Sequence, residues 1–140
     1  MKVYIAAPFF NERQLEIVRQ VENELAKCNI DHFSPRSQGK SLKDMTREET
    51  LIARTEVYAS NIREMELCDV VVACVEEKDT GTSFELGYFA KSEKKIILFS
   101  EKIDRVNVML AEAAFGVCDD IEMLKHTING SYNAEINDLI

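Results

Sequence analysis

Short apolar runs alternate with amphipathic stretches along the whole chain. Val3-Tyr4-Ile5-Ala6-Ala7 is apolar without polar alternation and is closed by Pro8, which predicts a short buried strand. Asn11 then stands where a helix cap is wanted, and Leu15, Val18, Val21, Leu25 and Cys28 recur at helical spacing. Residues 31–34 form a weaker second strand, and residues 35–43, polar and containing Gly39, read as a loop. A long helix follows over residues 46 to about 67, with an imperfect apolar stripe through Leu51, Ile52, Val57, Ile62 and Met65. The clearest strand is Asp69-Val70-Val71-Val72-Ala73-Cys74-Val75, apolar on successive positions as expected when both faces are covered. A polar loop over 76–81 leads to a helix over 82–91, then a strand over 95–99. Residues 107–114 look helical, 115–118 read as a last strand, and a final helix starts at Asp120; residues 130–140 carry no clear pattern.

Strand and helix alternate without a repeat. That order predicts one α/β domain over residues 1–140: a doubly wound, flavodoxin-like parallel sheet of about five strands with helices on both faces. Ligands in such folds sit beyond the carboxyl ends of the strands, where the strand order reverses. The loops to inspect are therefore 7–12, 34–43, 76–82 and 100–107.

Composition narrows the function. A formal net charge of −8 over 140 residues argues against a nucleic-acid surface, which needs clustered Lys and Arg. Cys28, Cys68, Cys74 and Cys118 lack CxxC spacing, and His32 and His126 lie far apart, so no zinc site is expected. The cysteines read as small buried hydrophobes, and free thiols fit a reducing cytoplasm. No run approaches the roughly 20 apolar residues of a membrane helix, and the first apolar run is too short for a secretory leader.

The loop after the central strand holds the candidate chemistry: Asp79-Thr80-Gly81-Thr82-Ser83-Phe84-Glu85-Leu86-Gly87-Tyr88. Asp79 and Glu85 straddle a strand-to-helix turn. Glu85 is expected in the first helical turn, where free amides favour an ionised carboxylate, with Asp79 on the opposite wall. One ionised carboxylate and one that can carry a proton is what glycosidic cleavage requires. The same residues admit a structural reading, because Thr82-x-x-Glu85 is also a capping box and Asp79 an ordinary turn residue.

Four segments, in order, resemble the nucleoside 2-deoxyribosyltransferase family from residue 1 to about 117. They are Val3-Tyr4-Ile5-Ala6-Ala7-Pro8-Phe9-Phe10 with Arg13-Gln14; Asn61 followed by Cys68-Asp69-Val70-Val71-Val72-Ala73; Asp79-x-Gly81-Thr82-x-x-Glu85-Leu86-Gly87; and Arg105-Val106-Asn107-Val108-Met109. The resemblance implies an enzyme that moves 2-deoxyribose between nucleobases through a covalent glycosyl-Glu85, without metal or organic cofactor. It implies that Tyr4 orients Glu85, and that Asp69 and Asp79 bind the base and manage its proton, Asp79 as the acid. Gly81 belongs to the signature loop, and Phe9 and Phe10 wall the base. Asn107 and Met109 would reach the 5′ end of the sugar from a neighbouring subunit, so a homo-oligomer with shared sites is implied. Partners are deoxynucleosides and free bases, with nucleoside salvage as the setting.

Two other readings stand beside this one. Deoxynucleoside 5′-monophosphate N-glycosidases share the nucleophile loop but cradle a phosphate with small, polar and basic groups. Here Ala6, Ala7, Pro8, Phe9 and Asn107 occupy those places, leaving Arg13 and Arg105 as candidate phosphate ligands. A module that binds a nucleoside without turnover is the third reading, and it has no need of a nucleophile.

Overall fold

The computed structural model describes residues 1–38, 43–103 and 105–140. The elements run β1 (Lys2–Ala6), α1 (Glu12–Lys27), β2 (Asp31–Phe33), a 3₁₀ turn (Pro35–Gln38), α2 (Arg47–Leu67), β3 (Val70–Cys74) and α3 (Thr80–Lys91). They continue with β4 (Lys95–Phe99), β5 (Arg105–Val106), α4 (Val108–Ala113), β6 (Gly116–Cys118), a 3₁₀ turn (Ile121–Met123), α5 (Leu124–Ile128) and β7 (Asp138–Leu139). Part of the loop expected over 35–43, including Gly39, lies outside the described residues, as does Asp104 in the loop after β4.

β2, β1, β3, β4 and β6 form a five-stranded sheet in that order, and every pairing is parallel. The order reverses between β1 and β3, so the crevice for a ligand opens beyond Ala6 and Cys74. Alternate residues of each strand face opposite layers. Val3, Ile5, Val70, Val72, Ile97 and Phe99 pack with Val18, Val21 and Leu25 of α1 and Leu124 and Ile128 of α5. Tyr4, Ala6, Val71, Ala73, Ile96 and Leu98 pack with Met65 of α2 and Leu86 and Phe89 of α3. Tyr4, a polar residue in an apolar row, thus points toward α3 rather than toward α1. Cys68, Cys74 and Cys118 are buried and Cys28 is half-buried; all four are free thiols. No helix among the described residues is long and apolar enough to cross a membrane.

Helix starts follow their caps. Asn11 accepts from the Gln14 amide at the start of α1. Thr46 and Glu49 form a reciprocal capping box at α2. α3 corrects the sequence expectation: it begins at Thr80, with Asp79 as the cap accepting from the Thr82 amide. Asp79 takes the cap because its carboxylate sits one residue ahead of the turn, so the Thr82–Glu85 box never forms. Glu85 accordingly lies in the second turn, beyond the free amides. The tail that carried no sequence signal ends in β7, which pairs in parallel with β5, Arg105 opposite Asp138 and Val106 opposite Leu139.

Candidate active site

The reversal point of the sheet opens into a cavity of about 290 Å³ between the ends of β1 and β3, the first turns of α3 and the flank of α2. Glu85 and Asp79 both line it, as do Phe9, Phe10 and Gly81. The Tyr4 hydroxyl, on a fully buried ring, donates to Glu85 Oε2. Phe33 and Phe89 flank that ring with centroids 5.7 Å away and fix its direction. Burial pushes the Glu85 carboxyl up to about 7; the Asp79 charge adds to the rise and the Tyr4 hydrogen bond opposes it. That is the reverse of the ionised first-turn carboxylate expected from sequence. Burial, the adjacent carboxylate and the hydrogen bond all raise Tyr4 well above its ordinary value, so it remains a donor.

Asp79 Oδ2 accepts from both the Thr82 amide and the Thr82 hydroxyl at 2.8 Å. No hydrogen bond involves Oδ1 among the described residues. Gly81 lets the backbone pass this carboxylate: a Cβ there would stand 3.3 Å from Asp79 Oδ2. Phe9 and Phe10 stack at 5.5 Å and 22° on one wall, with Phe10 largely exposed. Tyr58 and Phe84, tilted against each other at 6.4 Å, line the same cavity.

Asp69 is not brought to this cavity. It precedes β3 at the amino end of the sheet, where its Oδ2 accepts from the Lys2 amide at 2.9 Å and its own amide donates to Lys2 O. Asp69 therefore stands at the end of the sheet opposite the cavity and does not line it. The polar part of the lining comes from residues to which the sequence assigned no role. Gln38 Nε2 donates to Asn61 Oδ1 at 2.7 Å, and both amides line the cavity with Arg36. The only hints were that Gln38 falls in a loop at a strand's carboxyl end and that Asn61 belongs to the family-like helix.

Asn107 and Met109 do not line the Glu85 cavity of their own chain. Asn107 Oδ1 caps α4 by accepting from the Met109 amide at 2.9 Å, and Met109 is 74% exposed. Asn107 instead borders a second cavity of about 650 Å³ on the other side of the 76–83 turn, together with Lys78, Ser83, Arg105 and Ile140. The candidate phosphate ligands Arg13 and Arg105, and Arg36 in the cavity lining, each pair with a carboxylate. Arg13 pairs with Glu76 at 2.7 Å, Arg36 with Glu22 at 2.5 Å, and Arg105 with Asp138 at 3.0 Å.

Comparison with known proteins agrees with this fold. A solved 2-deoxyribosyltransferase from the psychrotolerant bacterium Bacillus psychrosaccharolyticus superposes with a TM-score of 0.79 at 28% identity, covering 89% of this chain and 90% of that one. A conserved protein from Enterococcus faecalis V583 shares the fold with a TM-score of 0.53 at 15% identity, covering 100% of this chain and 90% of that one. An uncharacterized protein of Ureaplasma parvum serovar 3 is 26% identical over 104 residues, which is 69% of this chain and 63% of that protein's length. The family model described as Nucleoside 2-deoxyribosyltransferase matches residues 3–129. The chain belongs to the nucleoside 2-deoxyribosyltransferase family.

Proposed function

We propose that the protein transfers the 2-deoxyribosyl group between nucleobases, with Glu85 as the nucleophile. The observation that carries this reading is the Glu85 carboxyl itself: it is set in an aromatic-walled cavity, oriented by a buried Tyr4 and joined there by a second carboxylate, Asp79. In the first half-reaction a Glu85 oxygen bonds to C1′ as the C1′–N bond breaks, and the bonding pair leaves with the base nitrogen. Glu85 attacks as its carboxylate, and Asp79, with Oδ1 uncommitted, passes its own proton to the departing base. In the second half-reaction an incoming base returns a proton to Asp79 and attacks C1′, which frees Glu85. Water in place of that base gives hydrolysis.

The Phe9–Phe10 and Tyr58–Phe84 pairs in the cavity lining offer planar surfaces for a planar base. The Gln38–Asn61 amides supply both donors and acceptors to its edge. The reading includes a homo-oligomer, in which Asn107 and Met109 of the partner subunit reach the sugar. A phosphate on the substrate would have to compete with the carboxylates that already pair with Arg13, Arg36 and Arg105. The test is chromatography of products after incubation with deoxyinosine or thymidine, with and without free adenine, beside the matching 5′-monophosphates. Deoxyadenosine that forms only when adenine is added is the expected result. Base release from the monophosphate without exchange on nucleosides would move the protein to hydrolysis, and no product from either would leave a binding module.

A further inference from the structure

The aromatic loop and the Asp79 loop leave different strands, β1 and β3, and one buried side chain touches both. Gln14, in the first turn of α1, is only 9% exposed. Its Oε1 accepts from the Phe10 amide at 2.8 Å, and its Nε2 donates to Glu77 Oε2 at 2.6 Å. Its own amide is held by Asn11 Oδ1 at 2.9 Å, so its backbone has little freedom to follow either loop. The preceding residue repeats the grip: Arg13 donates from Nε at 3.0 Å and from an η nitrogen at 2.7 Å to the two oxygens of Glu76. Consecutive residues of α1 thus hold consecutive carboxylates of the turn that ends at Asp79.

We propose that Gln14 is a positioning residue that sets the width of the base slot, by tying the backbone of the Phe9–Phe10 wall to the loop that delivers Asp79 and Glu85. The proposal rests on the transferase reading for its link to the base. The Glu77 bond is charge-assisted, and both bonds are part-buried around the buried Gln14 side chain, so each is stronger than a fully exposed contact. Without Gln14 the Phe10 amide has lost its acceptor and Glu77 its donor. The aromatic wall is then free to drift relative to the carboxylates, and base binding suffers before chemistry does.

Three variants separate this role from a purely structural one. Gln14→Met keeps the shape and removes both bonds. Gln14→Glu keeps an acceptor for Phe10 but faces Glu77 with a like charge. Gln14→Glu combined with Glu77→Gln reverses the donor and acceptor, and so restores both bonds. Each is measured for KM and kcat in base exchange, and for hydrogen exchange at the Phe10 amide by NMR. The expected result is a KM for the nucleoside raised about tenfold in both single variants with a smaller change in kcat, and recovery to within about threefold in the double variant. Phe10 amide exchange rises in Gln14→Met and falls back in the double variant. Should Gln14→Met fail to fold, the charge-swapped pair carries the same comparison. Unchanged KM in the single variants, no recovery in the double, or Phe10 exchange indifferent to Gln14 would overturn the proposal. A protein that turns over no nucleoside, yet whose Phe10 amide responds as described, would sink the transferase reading and leave the Gln14 tether standing.

Discussion

Glu85 is a carboxylate kept half out of water beside a hydroxyl that can only donate. Its pKa near 7 makes the acid limb of its activity visible in ordinary buffers. If Glu85 must be ionised to attack, kcat/KM rises with pH and levels off above about 7. Tyr4→Phe removes the hydrogen bond that opposes the rise, so the limb should move up by about one pH unit and the rate at pH 6.5 should fall. A pH–rate profile that stays in place would show that Tyr4 does not tune Glu85. Stability follows the same proton. Folding favours the protonated Glu85, so its contribution is complete below the ordinary carboxylate range and is lost as pH rises through about 7. Glu85→Gln, which mimics the protonated form, should therefore stabilise the fold more at pH 8 than at pH 5, by about 3 kcal/mol at most. Thermal melts at the two pH values decide it; equal shifts would contradict the burial argument.

At the scale of elements, Asp79 joins two tasks that substitution can separate. Asn caps a helix as well as Asp does, whereas Ala does not. Asp79→Asn should therefore keep the melting temperature and lose transfer activity, while Asp79→Ala should lose activity and about 1 kcal/mol of stability. Full activity in Asp79→Asn would remove Asp79 from the proton path. The cap at Asn11, the start of α2 near Thr46 and the both-faces-buried β3 were legible in the sequence because each rests on neighbours a few residues apart. The start of α3 was not, since Asp79 and Thr82 compete for the same cap and only the turn geometry chooses. The placement of Asp69 away from the cavity was not legible, because an acidic residue ahead of an apolar strand does not reveal where its carboxylate is held. Gln38 and Asn61 are 23 positions apart and meet only through the docking of α2 on the sheet. β5 and β7 are two residues each, too short for any periodicity to appear.

For the whole molecule, the doubly wound architecture was readable from the alternation of strand and helix, which directed attention to the four loops beyond the strands' carboxyl ends, and the strand order places the reversal between β1 and β3. Asn107 borders the second cavity rather than the Glu85 cavity of its own chain, and the proposed function has the partner subunit supply it. Subunit sharing makes a prediction that no single-chain site can meet. Glu85→Gln and Asn107→Ala proteins, each inactive alone, should regain about a quarter of wild-type sites when unfolded and refolded together as dimers. Absence of recovery, with mixed oligomers verified by mass, would place Asn107 outside the shared site.

The central claim is a covalent sugar on one named residue. Incubating the protein with a 2′-deoxynucleoside and no acceptor base, quenching in acid and mapping peptides by mass spectrometry tests it directly. The expected result is a 2-deoxyribosyl mass increment on the peptide carrying Glu85, discharged by added adenine and absent in Glu85→Gln. Base exchange that proceeds with no adduct, or with the sugar on another residue, would contradict the assignment.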